Sequence, residues 1–210
     1  MPYPAGHRER TRERIVRSAR DLFNRHGFSE VSIDEVMAHA GLTRGGFYNY
    51  FETKGDLYAE AIALAMREPP VARWPELNVD FSAVDAARRV IQAYLSQQHF
   101  EDIDGSCPLV ALPSDVSREN AKVKRAFESV FEGMVRLFEE SLRSDRSKVR
   151  DRALVIAGLC VGAMVVARSL DNRELADSLR GAARKAALEL GAWSDSKGKK
   201  LRGRRLPTTS

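Results

Sequence analysis

The sequence has little cysteine, little histidine and no long apolar run. Two cysteines and four scattered histidines among 210 residues argue against a disulfide framework and against a metal-ligand cluster. The longest apolar stretch, Ala153 to Ala167, is shorter than the roughly 18 to 20 residues that a membrane span needs. The first ten residues lack the apolar core of a signal peptide. We therefore expect a cytoplasmic protein that does not bind a membrane.

Motifs typical of enzymes are missing as well. The chain has no glycine-rich nucleotide loop, no G-x-S-x-G elbow and no His-Glu-x-x-His zinc motif. We expect no catalytic residue, no cofactor and no metal.

Two short helices joined by a tight turn are predicted between Ser32 and Phe51. Ser32 and Glu35 have the spacing of a capping box, in which each side chain satisfies a backbone N–H of the first helical turn. Apolar residues follow at helical spacing until Gly41, which suits the left-handed conformation that closes a helix. Thr43 is placed to cap the next helix. This pattern is a helix-turn-helix.

The second of these helices, Arg44 to Phe51, has Gly45 and Gly46 in its first turn. Each glycine costs about 1 kcal/mol of helix stability relative to alanine. A frayed helix start would tolerate them, but positions without a side chain also let the backbone approach another molecule, and we favour that interpretation.

The neighbouring side chains are of the kinds that contact DNA. Thr43 and Asn49 suit phosphates, Arg44 suits a guanine edge, and Tyr48 suits a phosphate or a thymine methyl group. A second capping signal, Thr53 with Asp56, begins the following helix, where we expect the Lys54 ammonium to point at the same DNA backbone.

The stretch GLTRGGFYNYFETKGDL resembles the TetR/AcrR family of bacterial transcriptional regulators, over about the first third of the chain. The resemblance implies a homodimer that binds palindromic double-stranded operator DNA, with a larger helical domain that binds a small-molecule inducer. It also implies a place on the bacterial nucleoid. The DNA contacts it implies are Ser32, Thr43, Arg44, Gly45, Gly46, Tyr48, Asn49, Tyr50 and Lys54.

Apolar periodicity and glycine or proline breaks predict an all-α chain. We expect disorder over residues 1–7, a helix-turn-helix DNA-binding domain over 8–68, a helical ligand-binding and dimerisation domain over 69–193 and a disordered basic tail over 194–210. The predicted helices are Arg8–His26, Leu57–Arg67, Ala83–Phe100, a short one within Leu109–Asn120, Ala121–Arg143, Asp151–Leu170 and Arg173–Leu190.

Positive charge is concentrated at the two ends of the chain. The tail has six Lys or Arg residues against Asp195, so the rest of the chain is neutral in a total of +5. The segment from Met1 to Arg25 holds seven arginines against three acidic residues. The arginines of this N-terminal segment either contact phosphates or form a solvated surface. The C-terminal tail is either a solubilising end or a nonspecific DNA-attracting arm.

The helix predicted over Ala121–Arg143 carries an aromatic-rich stripe that includes Phe127, Phe131 and Met134. Such a stripe is more often core, but in a helical bundle the same residues also line ligand pockets.

Cys107 precedes Pro108 at a predicted helix start, where a thiol can have a lowered pKa. This glycine-cysteine break resembles regulators of the nem-operon type, which implies a sensor of reactive compounds. Glu101, Asp102 and Asp104 would instead raise the thiol pKa, which favours a structural cysteine.

The helix over Asp151–Leu170 is apolar nearly all round and rich in small residues. Either both faces are buried in one chain or one face is buried against a second copy, and the family resemblance favours the second alternative. The residues expected in that dimer interface are Ala157, Gly158, Gly162 and Val165.

We therefore expect a dimeric repressor that a small-molecule inducer releases from its operator. The alternative is a helical ligand-binding or protein-interaction module that does not read DNA.

Overall fold

The computed structural model describes residues 6–70, 79–81, 83, 85–142 and 146–191. Most of the predicted N-terminal segment, most of the loop predicted after Pro70 and the predicted tail over 194–210 lie outside these residues. Within them the protein is all α, as predicted. The elements in chain order are α1 (His7–His26), α2 (Ile33–His39), a 3-10 helix (Arg44–Asn49), α3 (Lys54–Arg67), α4 (Ala86–Tyr94), α5 (Gln97–Glu101), α6 (Pro108–Ala111), α7 (Pro113–Ser117), α8 (Ala121–Ser141), α9 (Arg146–Arg168) and α10 (Arg173–Leu190).

Aromatic side chains hold α1, the 3-10 helix and α3 together. Phe23, Phe47 and Tyr58 are fully buried. The ring of Tyr58 meets Phe23 edge-on, with centroids 5.0 Å apart, and stacks on Phe28 at 4.5 Å. Offset and edge-to-face aromatic pairs add to the free energy gained by burial alone, so these contacts fix α3 against α1.

Two of the three predicted caps are present. Ser32 with Glu35 and Thr53 with Asp56 each form a complete capping box. Thr43 occupies the cap position of the 3-10 helix, but its side chain makes no capping hydrogen bond.

The helix predicted over Arg44–Phe51 is a 3-10 helix over Arg44–Asn49. Its i to i+3 bonds include Gly46 N–H to the Thr43 carbonyl (3.1 Å) and Tyr50 N–H to the Phe47 carbonyl (2.9 Å). Two glycines in six residues give an α-helix too little support, and the tighter 3-10 form is used in such short pieces.

The prediction of a single helix over Ala83–Phe100 is also wrong, because the chain forms two helices there. The break falls at Leu95 and Ser96, where the Ser96 hydroxyl accepts a hydrogen bond from the His99 N–H at 3.1 Å and caps α5. The apolar pattern continues through the break, so periodicity does not reveal it.

The remaining long helices form a bundle. Helix α3 packs on α8, α8 packs on α9, and α9 packs on α10. Helix α10 has the predicted bounds, whereas α9 begins five residues before the predicted start. None of the described helices combines the length and the apolarity that a bilayer crossing requires.

Hydrogen bonds from the end of α1 join the N-terminal helices to the loop before α6. The buried Asn24 amide donates to the carbonyls of Asp104 (2.8 Å) and Ser106 (2.9 Å). The Phe28 N–H donates to a carboxylate oxygen of Asp115 at 3.0 Å. The intervening Gly27 has φ +80°, and a Cβ there would lie 2.8 Å from the same carboxylate, so no other residue fits.

Asn24→Ala should lower the free energy of unfolding by about 2 kcal/mol, because two carbonyl groups lose their donor in a buried place. Urea unfolding followed by circular dichroism measures the change. Gln92→Ala, at an exposed position of α4, is the control and should change stability by less than about 0.5 kcal/mol. Equal losses in the two variants would show that the Asn24 bonds do not hold α1 to the loop before α6.

Candidate functional site

The 3-10 helix presents one face to solvent and buries the other. Phe47 is fully buried and Phe51 nearly so, whereas Tyr48 is 63 % exposed. Thr43, Arg44, Gly45 and Asn49 are exposed as well. The predicted contact residues of this helix therefore share an accessible surface.

The two glycines of this helix differ in their surroundings. A Cβ on Gly45 would meet nothing of this chain within 4 Å, and one on Gly46 would make an ordinary contact with Met37 at 3.6 Å. Packing within the chain therefore does not require glycine at position 45. Approach of another molecule to this backbone remains a prediction.

Arg44 is ion-paired on this surface. Its guanidinium Nη1 lies 3.0 Å from Oδ2 of Asp34 in the first turn of α2, and both side chains are more than half exposed. The pair carries little stability at such exposure. Its effect is to hold the guanidinium beside the N-terminus of α2 until another partner replaces the carboxylate.

Ser32 and Tyr50 are already engaged within the chain. The Ser32 hydroxyl accepts from the Glu35 N–H. The Ser32 N–H and hydroxyl both donate to the Glu35 carboxylate, and these two bonds lower the pKa of Glu35. Tyr50 is half-buried against the core.

Lys54 lies differently from the expectation that it points at DNA. Its ammonium donates to the carbonyl of Phe28 and stands 4.2 Å from the centroid of the Phe28 ring. Burial lowers its pKa. A phosphate contact by Lys54 requires exchange of this hydrogen bond, and the contact remains a prediction.

The arginines of α1 are largely engaged within the chain. Arg12 pairs with Glu60, Arg17 with Glu68 and Arg25 with Asp104. Arg8 donates to the carbonyl of Asn49 at 2.9 Å and so binds the last residue of the 3-10 helix. Sequence reasoning missed these roles because the partners lie 41 to 79 residues away in the chain.

A cavity of about 460 Å³ lies between the end of α3 and helices α4 and α8. Cys107 and Met134 line it, whereas Phe127 and Phe131 do not. The wall on α8 runs from Val130 to Glu140. Phe127 lies on the same stripe but before the wall, Phe131 lies to one side of it, and both are half-buried against the core. The lining residues are Ala65, Met66, Pro69, Pro70, Phe81, Val90, Tyr94, Cys107, Leu109, Val130, Gly133, Met134, Arg136, Leu137 and Glu140.

Cys107 is only 5 % exposed, and burial raises its thiol pKa. The thiol form therefore dominates at neutral pH, which favours the structural role over that of a reactive sensor. The loop around it is held by a network. Arg168 of α9 donates to the Ser106 hydroxyl at 2.6 Å and to the carbonyls of His99 and Asp102, while the Cys107 N–H donates to His99 Nε2 at 3.4 Å. Burial likewise raises the pKa of Cys160 to about 12.

A second surface lies along α9 and α10. Gly158 and Gly162 are exposed and Val165 is half-buried, as a dimer interface would require, but Ala157 is fully buried within its own chain. Neighbouring positions on a helix point in different directions, so Ala157 faces the bundle while Gly158 faces solvent. This burial corrects the predicted place of Ala157 in the interface. The exposed apolar side chains of this surface are Val155, Val166, Leu175 and Leu190.

The fold and this exposed 3-10 helix together define a helix-turn-helix protein. The family model described as "Bacterial regulatory proteins, tetR family" matches residues 15–61. The N-terminal part of the chain is therefore similar to this family.

Individual relatives extend the comparison. The TetC protein of transposon Tn10 from Escherichia coli is 45 % identical over 78 residues, which are 36 % of this chain and 40 % of TetC. The repressor NemR of E. coli is 27 % identical over 144 residues, 65 % of this chain and 69 % of NemR. The first curated relatives are matched over half of their length or less.

The solved structure of reduced E. coli NemR has the same fold. It aligns with a TM-score of 0.67 at 19 % identity, over 87 % of this chain and 98 % of that one.

The buried His99 should make stability depend on pH. Burial lowers its pKa to about 4 in the folded protein, whereas an unfolded histidine titrates near 6.5. Between these values the unfolded state binds a proton that the folded state excludes, so stability is lost as pH falls from about 6.5 to about 4.

When the pH is lowered from 7 to 4.5, the free energy of unfolding should fall by about 2 kcal/mol more in the wild-type protein than in His99→Gln. Urea unfolding at both pH values measures this difference. His39→Gln, at an exposed site, should keep the wild-type difference. If all three proteins lost the same amount, His99 would not be the group responsible.

Proposed function

We propose that this protein is a homodimeric, sequence-specific DNA-binding repressor of the bacterial cytoplasm, released from its operator by a small molecule. The observation that carries the proposal is the 3-10 helix, which buries Phe47 and Phe51 and leaves Thr43, Arg44, Gly45, Tyr48 and Asn49 exposed. A protein that used this segment only for packing would have no reason to expose a tyrosine, an arginine and a glycine together.

Each exposed side chain has a role that its chemistry suits. Arg44 reads a guanine edge, and Thr43, Asn49 and Tyr48 contact phosphates or a thymine methyl group. Gly45 and Gly46 allow the helix to approach the groove. Ser32, Tyr50 and Lys54 support this surface and reach phosphates at its edge.

We assign the inducer to the cavity between α3, α4 and α8. Ala65 and Met66 of α3 belong to its wall, and a Cβ on Gly133 of α8 would lie 2.9 Å from the Met66 methyl group. A molecule in this cavity therefore acts on the last turn of the helix that begins directly after the DNA-reading segment. Operator and inducer each favour a different position of α3, so each weakens the binding of the other by the same factor.

The proposal is tested by fluorescence anisotropy with DNA from upstream of the protein's own gene, against a scrambled duplex, at several salt concentrations. We expect selective binding by two subunits per site, with affinity that falls steeply as salt rises. Weak and equal binding to this DNA, to genomic fragments and to the scrambled duplex would overturn the repressor and favour a module that does not read DNA.

Arg44→Ala should weaken operator binding by about 1 to 3 kcal/mol and relax the preference for one base pair, with a smaller effect on the scrambled duplex. Arg125→Ala removes an equally exposed arginine from α8 and serves as the charge-matched control. Parallel losses on cognate and scrambled DNA would mean that Arg44 contacts phosphate only.

The exposed surface of α9 and α10 is the proposed dimer interface. These helices pack on each other, and their apolar side chains Val155, Val166, Leu175 and Leu190 remain open to solvent. A two-fold dimer of this kind pairs two reading helices with half-sites about one helical turn apart.

Combining Val166→Glu with Leu175→Glu should weaken the dimer by about 2 to 4 kcal/mol, because like charges would face each other across a desolvated interface. Sedimentation equilibrium measures the change, with Gln92→Glu on α4 as the control. A double variant that dimerised as tightly as the wild type would place the interface elsewhere.

A further inference from the structure

The polar groups in the cavity wall fall into two sets. Arg136 and Glu140 of α8 are exposed. Tyr94 and Cys107 are buried, and the rest of the wall is apolar. The charges therefore stand at the solvent side of the cavity, and the buried side offers one hydroxyl and one thiol.

The Tyr94 side chain is held in place by its neighbours. Its ring meets the His99 imidazole edge-on, with centroids 4.8 Å apart, and the backbone carbonyl of Tyr94 is hydrogen-bonded to His99 Nδ1 at 2.7 Å. A molecule in the cavity thus meets a ring whose orientation is already set, which reduces the entropy lost on binding.

The hydroxyl of this ring has no hydrogen-bond partner among the described residues. The nearby Cys107 thiol is only a weak hydrogen-bonding group beside it, and the nearby Arg168 uses its guanidinium for the loop before α6. Burial raises the pKa of Tyr94 far above its ordinary value, so the hydroxyl keeps its proton and can donate it. A buried donor left unpaired costs free energy, which an acceptor on a bound molecule recovers.

We infer that the cavity binds an uncharged, mostly apolar molecule with one hydrogen-bond-accepting oxygen, which the Tyr94 hydroxyl binds at the buried side of the cavity. The inference rests on the proposed inducer role of this cavity. The volume is within the range of about 300 to 1,000 Å³ found for small-molecule sites. A carboxylate is disfavoured at this position, because the described residues place no cation in the buried part of the wall to pair with it.

A set of three molecules with one carbon skeleton tests the inference. They are 4-phenylcyclohexanone, phenylcyclohexane and 4-phenylcyclohexanecarboxylate, and each competes with the neutral fluorescent probe N-phenyl-1-naphthylamine on the full-length protein. The ketone adds one acceptor oxygen to the hydrocarbon, and the carboxylate adds a charge.

The matched variants are Tyr94→Phe and Tyr58→Phe. Tyr58 of α3 is also buried with a hydroxyl that has no partner among the described residues, but it does not line the cavity. Both changes remove an unpaired hydroxyl, and each should leave a folded protein that is at least as stable as the wild type.

For the wild type we expect the ketone to bind most tightly and the carboxylate most weakly. The ratio of the ketone's affinity to the hydrocarbon's should fall about tenfold in Tyr94→Phe and stay unchanged in Tyr58→Phe. An unchanged ratio in Tyr94→Phe, tightest binding by the carboxylate, or failure of all three molecules to displace the probe would each overturn the inference.

Operator binding, measured in parallel without these molecules, separates the two proposals. Selective DNA binding together with an unchanged ratio would defeat the Tyr94 inference alone. A tenfold change of the ratio without selective DNA binding would defeat the repressor and leave the cavity as a ligand site.

Discussion

Helix α3 packs both on α1 and on α8 within one continuous core, and the rest of the structure depends on this double packing. It buries Leu57, Tyr58 and Ile62, and the Tyr58 ring packs on Phe23 of α1. Its last turn gives Ala65 and Met66 to the cavity wall, and the helix packs on α8. A 14-residue helix is about 20 Å long and stiff. Because close-packed cores do not deform continuously, a displacement at one end of α3 moves the whole helix.

A second connection limits how α3 can move. The loop before α6 is bound to α1 by Asn24 and Arg25, and to α9 by Arg168. This loop also contributes Cys107 to the cavity wall. The N-terminal helices are thus attached to the bundle at two places that both border the cavity, and α9 carries the surface proposed for dimerisation. Helices that carry the three proposed functions, DNA reading, inducer binding and dimerisation, are therefore joined through this loop and α3.

The accuracy of the sequence predictions depended on how local each feature is. Ser32 with Glu35 and Thr53 with Asp56 act over three residues, and both capping boxes are present. Arg8 and Arg25 find partners 41 and 79 residues away, which no pattern within α1 specifies. The predicted face of α8 included Phe127 and Phe131 because an aromatic stripe alone does not tell which side meets the cavity. Ala157 was misplaced for the same reason, since α9 is apolar nearly all round.

The free energy of the contacts at α3 decides whether inducer binding can be coupled to operator binding. Coupling free energies between sites are typically 1 to 3 kcal/mol, about 5- to 150-fold in affinity. Met66 is 50 % exposed, and a Cβ on Gly133 would come within 2.9 Å of its methyl group. A ligand that covered the exposed part of this side chain in only one position of α3 would gain on the order of 1 kcal/mol, at about 25 cal/mol per Å² of apolar surface. Such a difference reaches the lower end of this range, so the proposed coupling does not require a large rearrangement of the bundle.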